Sequence, residues 1–235
     1  MLSWNILSGG RARADRILAA IRSHNPDVVV LQETMDSAKQ VLCDPLRALG
    51  WKFGLSSSRG ARAKGVCVLS SIPLRRYPSP ICAATHERGW VEFEIEGLPI
   101  RFSALHAPST AAALPHYWKG VAGWASEVNH ERRVLLGDMN VGVSGIDAEN
   151  YSFKGADGFS RLQAVGFVDL WRGEHGARQE YTWYSAPRRD GTRRGFRIDH
   201  ALATQTVIGP DWRCSYSHSE RLEEISDHSI LLLDL

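Results

Sequence analysis

The chain has 235 residues, 43% of them hydrophobic and 23% charged, a composition that excludes a disordered or low-complexity protein. Its 28 basic and 26 acidic side chains leave a formal net charge of +2, so a uniformly cationic body is excluded and any anion-binding surface must be local. No apolar run reaches the length of a membrane-spanning helix, and the length fits one domain over residues 1–235.

The chain starts inside its first apolar run, Leu2–Trp4, so residues upstream are conceivable. No basic leader with an apolar stretch marks a secretory signal. Residues 13–23 place Ile17, Leu18 and Ile21 at helical spacing, with Pro26 as a stop. Residues 27–31 are a β-branched run that reads as a strand buried on both faces. Residues 37–49 return to helical spacing through Val41, Leu42, Leu46 and Leu49; Pro45 must bend or restart that helix and Gly50 closes it. Strands are expected over 65–69, 89–95 and 99–105. A helix over 116–128 would bury Trp118, Val121, Trp124 and Val128. A strand at 134–136 and a helix at 159–165 follow. Residues 195–203 alternate as one strand, with Phe196 and Ile198 on one face and Arg197 and Asp199 on the other. Residues 229–235 form the last strand. This order mixes helices with hairpin-like strand pairs. It predicts an α/β (α+β) fold in which two mixed β-sheets pack face to face with helices outside.

The four cysteines, Cys43, Cys67, Cys82 and Cys214, are too scattered for a zinc knuckle or a redox pair. Reduced thiols in a cytoplasmic protein are expected.

Several buried runs stop at polar residues. Leu2–Trp4 stops at Asn5. Residues 28–31 stop at Gln32-Glu33, 102–105 at His106, and 134–136 at Gly137-Asp138-Met139-Asn140. Ligands bind at strand ends in α/β sheets, so these are site candidates. Taken singly, each has a plain alternative: a helix cap for Glu33, a turn for Asp138 and Asn140. Asp199 and Ser226-Asp227-His228 join them from the C-terminal third. An aspartate beside a histidine fixes its tautomer and stabilises its cation, so Asp199 and His228 are a candidate pair. The donors Asn, Glu and Asp are hard oxygens, which suit Mg²⁺ rather than zinc.

Six stretches occur in one order over nearly the whole chain: Ser3-Trp4-Asn5-Ile6, Leu31-Gln32-Glu33-Thr34, Leu105-His106-Ala107-Pro108-Ser109, Gly137-Asp138-Met139-Asn140, Arg197-Ile198-Asp199-His200 and Ser226-Asp227-His228. Together they resemble the endonuclease/exonuclease/phosphatase superfamily. The resemblance implies a four-layered α/β sandwich and a Mg²⁺-dependent phosphodiesterase, with Mn²⁺ as a substitute. Asn5, Glu33 and Asp227 would serve the metal. Asp138 would activate or position water, and Asn140 would hold phosphate and Asp138. His228, oriented by Asp199, and His106 would contact the scissile phosphate.

Branch signals are mixed. Tyr181-Thr182-Trp183 and Arg194-Gly195-Phe196-Arg197-Ile198-Asp199 are similar to the exonuclease III and abasic-site endonuclease branch. That branch usually carries tyrosine in place of His106 and an acidic residue near Leu7. A histidine at 106 looks more like the deoxyribonuclease I and sphingomyelinase branches, so abasic-site repair stays open. Arg188, Arg189, Arg193, Arg194 and Arg197, flanked by Trp183, Tyr184 and Phe196, form an expected DNA phosphate contact. Arg59, Arg62 and Lys64 form a second basic cluster. DNA is the expected partner of a monomeric enzyme. The alternative is a phosphatase or phospholipase C-like hydrolase of an inositol or sphingolipid head group.

Overall fold

The computed structural model describes residues 1–57, 63–80 and 89–235. Arg59, Arg62 and Cys82 lie outside the described residues.

The elements run β1 (Leu2–Asn5), α1 (Ala14–His24), β2 (Val28–Thr34), α2 (Asp44–Ala48), β3 (Phe53–Ser56), β4 (Gly65–Ser70), β5 (Leu74–Tyr77), β6 (Trp90–Ile95) and β7 (Leu98–His106). They continue as α3 (Leu114–Val128), β8 (Arg133–Asp138), α4 (Ala156–Ala164), β9 (Phe167–Asp169), α5 (Leu170–His175), β10 (Trp183–Tyr184), β11 (Gly195–Phe196), β12 (Asp199–Thr204), β13 (Arg213–Ser217), α6 (Ser219–Leu222) and β14 (Ile230–Asp234).

Among the described residues two six-stranded sheets form, ordered β13-β14-β1-β2-β4-β3 and β5-β6-β7-β8-β12-β9, and β10 pairs with β11 apart from them. Both are mixed. β1 runs parallel to β2 and β7 parallel to β8, and their other neighbours are antiparallel. The strand period of two assigns the layers. Val28 and Val30 face the second sheet and pack with Phe93, Phe102, Leu136 and Ala201. Val29 and Leu31 face the other way, against Ile17 and Ile21 of α1 and Leu46 of α2. On the far side, Leu105, Leu135 and Leu202 meet Trp118, Val121, Phe159 and Leu162 from α3 and α4. The order helix, sheet, sheet, helix is the expected four-layered sandwich.

Three local expectations change. Residues 36–48 form a 3₁₀ turn (Asp36–Ala38), a π-helical turn (Lys39–Cys43) and then α2. Pro45 sits in the first turn of α2, where its missing N–H has no helical partner to lose. The expected strand over 195–203 is interrupted between β11 and β12, because Arg197 is drawn inward by two carboxylates. In α3, Tyr117, Ala122 and Ala125 join Trp118 and Val121 as buried residues, while Trp124 and Val128 are partly buried at the edge. Cys43 and Cys67 face each other with Sγ atoms 3.6 Å apart, and burial pushes the Cys214 thiol up. Among the described residues no helix is long and apolar enough to cross a membrane.

Candidate active site

The strand register brings the polar residues together. His106 on β7 lies opposite Asp138 on β8, and Asp138 lies opposite Asp199 on β12. In the other sheet Asn5 of β1 lies opposite Gln32 of β2. His228 just precedes β14 and bridges to Trp183. The Gly137-Asp138 step needs its glycine: φ is +139° and an added Cβ would sit 1.9 Å from the Leu105 carbonyl oxygen.

Asp138 is the hub, and it is 2% exposed. Its Oδ2 accepts from Asn5 Nδ2 at 2.9 Å and its Oδ1 from the Asn140 amide at 3.1 Å. His106 Nε2 lies 3.6 Å and His228 Nε2 3.9 Å from the same Oδ2. His228 Nδ1 bonds Asp199 Oδ2 at 2.9 Å. Asp199 is itself fixed: Thr182 Oγ1 accepts from the Ile198 and Asp199 amides, and Tyr216 donates to the Asp199 carbonyl at 2.7 Å.

The electrostatics follow from this enclosure. Burial alone would lower the pKa of His228, but the adjacent Asp199 and Asp138 carboxylates raise it to about 10. Burial, with Asp199 nearby, pushes the Asp138 carboxyl above its usual range, partly offset by His228 and His106. The two shifts share one cause, the enclosure of Asp138, Asp199 and His228 against one another. The Nδ1 bond to Asp199 orients the ring, so that His228 Nε2 faces Asp138 Oδ2 from 3.9 Å.

Glu33 stands at a bulge. The register of β2 against β4 shifts between Leu31 and Thr34, and Glu33 takes φ +60° there. Its Oε2 accepts from the Ser8 amide at 2.6 Å and from Lys64 Nζ at 2.6 Å. Burial works against its charge, yet the Lys64 ammonium and the Ser8 amide hold its carboxyl below the usual range. Asn5 Oδ1 accepts from the Leu7 amide at 3.0 Å and keeps a second lone pair. Ser226 Oγ donates to the Asn5 carbonyl at 2.6 Å, fastening the Asp227 loop to β1. Asp227 Oδ2 accepts from Trp183 Nε1 at 3.0 Å, while its Oδ1 is buried with no hydrogen-bond partner. A buried carboxylate oxygen in that state is open to a cation. The hard-oxygen set Asn5, Glu33 and Asp227 therefore fits a magnesium ion. Asp138, Asp199 and His228 also present ligand atoms within 4.8 Å of one another. There the His228 imidazolium already supplies the positive charge.

Leu7 and Asp227 line a cleft of about 720 Å³ with Tyr184, Arg193 and Arg221. Asn140, at φ +48° with Nδ2 donating to the Ala107 carbonyl, lines a second cleft of about 300 Å³ with Tyr151, Trp183, Phe196 and Ile198. The arginines sit on the β10–β11 hairpin. Arg188, Arg189 and Arg193 are exposed, and Arg194 lies over the Tyr151 ring at 5.3 Å. Arg197 is a correction to the expected phosphate contacts. It is 0% exposed, its Nε is 2.7 Å from Asp147 Oδ1 and its NH2 is 2.6 Å from Asp169 Oδ2. The interruption between β11 and β12 turns it into the core, out of reach of any substrate. Lys64, read with Arg59 and Arg62 as a second basic cluster, pairs with Glu33. Thr182 stands in the branch-like stretch Tyr181-Thr182-Trp183, but its bonds to the Ile198 and Asp199 amides, like that of Tyr216 to the Asp199 carbonyl, have no spacing to read in the sequence.

Residues 2–228 match the model of the endonuclease/exonuclease/phosphatase family. A curated exodeoxyribonuclease from Streptococcus pneumoniae is 25% identical over 247 residues, covering 88% of this chain and 90% of the relative. An AP endonuclease from Archaeoglobus fulgidus superposes with a TM-score of 0.82 at 19% identity, over 100% of this chain and 98% of the other. A 3′ phosphatase from Neisseria, bound to a product DNA hairpin, gives 0.79 at 19% identity over the same shares. The two structures share the fold. With the match running over nearly all of its length, the chain belongs to the endonuclease/exonuclease/phosphatase family, a group of hydrolases acting on phosphoester bonds.

Proposed function

We propose that the protein is a Mg²⁺-dependent DNA phosphodiesterase of the exonuclease or abasic-site endonuclease kind, with Mn²⁺ as an alternative ion. One observation carries the reading: Asp138, bonded to Asn5 and facing His106 and His228, adjoins an oxygen-donor set that contains the buried, unbonded Asp227 Oδ1.

The roles follow from the geometry. Asp138 Oδ2 accepts a proton from the attacking water, because His228 already holds one. His228 Nε2–H donates to a non-bridging phosphoryl oxygen and stabilises charge that grows in the transition state. His106 and the second N–H of Asn140 Nδ2 approach the phosphoryl group from the β7 and β8 ends. Asp199 fixes the His228 ring. An ion held by Asn5, Glu33 and Asp227 would neutralise phosphate charge and stabilise the leaving oxygen.

The DNA assignment is supported by exposed Arg188, Arg189 and Arg193 beside the site, by half-buried Arg194, and by the deoxyribonuclease relative. The cleft lined by Trp183, Phe196 and Ile198 next to Asn140 would suit an extruded sugar or base. The second reading, hydrolysis of a small phosphoester, is favoured by His106 and by the limited volume of that cleft. A Mg²⁺-supplemented panel separates them: plain duplex, abasic duplex, single-stranded DNA, RNA and inositol phosphates. Cleavage confined to inositol phosphates would defeat the DNA reading.

A further inference from the structure

Lys64 stands immediately ahead of β4, and Gly65 pairs with Thr34, the neighbour of Glu33. Strand register thus delivers the lysine to the bulge. Its Nζ lies 2.6 Å from Glu33 Oε2, the oxygen that also accepts from the Ser8 amide. The Ser8 amide is fixed by the backbone. The Lys64 side chain is 43% exposed and that of Glu33 14%, so the ammonium sits at the solvent edge with a stem free to swing.

Building on the metal reading above, we propose that Lys64 is a placeholder cation: it neutralises and orients Glu33 in the metal-free enzyme and is displaced when the divalent ion binds. Magnesium binds its oxygens at about 2.0–2.1 Å. Were the ammonium to keep its present bond to Oε2, the two cations could be no more than about 4.7 Å apart if they shared that oxygen. A doubly charged ion wins this competition because it also draws on Asn5 and Asp227, whereas among the described residues Lys64 hydrogen-bonds Glu33 alone. Metal entry and lysine release are then one exchange, and each opposes the other by the same factor. The exchange keeps a carboxylate at the rim from being left without a counter-charge. It also frees an ammonium beside the place where the phosphate anion arrives, so metal binding prepares the site for substrate. Lys64 is in this sense a positioning residue.

The test uses amine-reactive acetylation of the whole protein followed by peptide mass spectrometry. Exposed Lys52, Lys119 and Lys154 serve as internal references. Adding Mg²⁺ raises the Lys64 labelling rate several-fold and leaves the references unmoved. Glu33→Gln raises it without Mg²⁺. By calorimetry, Lys64→Met binds Mg²⁺ about three- to tenfold more tightly than the wild type, the scale of a partly exposed ion pair. Lys64 labelling that Mg²⁺ or Glu33→Gln leaves unchanged, or a Lys64→Met variant with equal or weaker affinity, overturns the placeholder role while the metal reading stands. A wild type that binds no Mg²⁺ overturns both.

Discussion

Arg197 offers a prediction that separates a buried structural role from a DNA contact. Arg197→Met keeps a long, apolar-compatible side chain but leaves Asp147 and Asp169, both buried, without their shared guanidinium. Arg172 still reaches Asp147, so Asp169 takes the larger loss and retains His200. Removing one partner from a buried ion pair costs about 3–5 kcal/mol. At this chain length each kcal/mol moves Tm by about 2–4 °C, so the fall should be about 6–20 °C. Arg197→Lys restores charge without the planar fork and should fall in between. The pH dependence has a definite sign. Burial would raise both carboxyls, but Arg197 and His200 hold them below the usual range. Their stabilisation is therefore present above the unfolded-state pKa of about 3.9 and fades as pH drops through the lower folded values. Melting curves by circular dichroism should show the gap between wild type and Arg197→Met narrowing below about pH 4. A Tm within about 2 °C of wild type at pH 7, with DNA binding selectively lost, would refute the structural role and return Arg197 to the phosphate contacts.

Three further outcomes follow from the site. Asp199→Asn removes the nearest carboxylate from His228, so the imidazolium, present below about pH 10 in the wild type, should be lost at lower pH. The alkaline limb of the pH–rate profile on bis-p-nitrophenyl phosphate should move toward neutrality, with kcat at pH 7 reduced about 10²–10⁴-fold; an unmoved limb contradicts the pairing. Trp183→Phe deletes the bond to Asp227 Oδ2 and should weaken Mg²⁺ binding about 10–100-fold by calorimetry, whereas unchanged affinity would place Asp227 away from the metal. Changing Arg188, Arg189, Arg193 and Arg194 to alanine should flatten the dependence of DNA affinity on log[salt] and spare the chromogenic diester. Equal losses on both substrates would remove the hairpin from the DNA interface.

Much of the site is legible in the sequence, for a physical reason. Asn5, Glu33, His106, Asp138 and Asn140 interrupt or end apolar runs, and such runs report buried strands. Because the fold closes two sheets on each other, these ends meet at one rim. The pairing of Asp199 with His228 is legible as chemistry. Arg197 misleads because alternation assumes an unbroken strand. Its two partners, Asp147 and Asp169, are 50 and 28 residues away in sequence. The edge strands β3 and β5 are hidden because they are short and half exposed, with burial too irregular to impose a period. The pairing of Lys64 is hidden for a related reason: a lysine near arginines reads as part of a basic cluster until strand register sets it against a carboxylate.

The central claim is that Asp138 and the oxygen donors around it form a metal-assisted phosphodiester-cleaving centre. The most direct measurement is turnover of bis-p-nitrophenyl phosphate by wild type and Asp138→Asn, each with Mg²⁺ and with EDTA, alongside melting curves. The account predicts turnover that EDTA abolishes and Mg²⁺ restores, and that falls at least about 10²-fold in Asp138→Asn while the variant stays folded. Turnover indifferent to EDTA, or a folded Asp138→Asn protein as active as wild type, would contradict it.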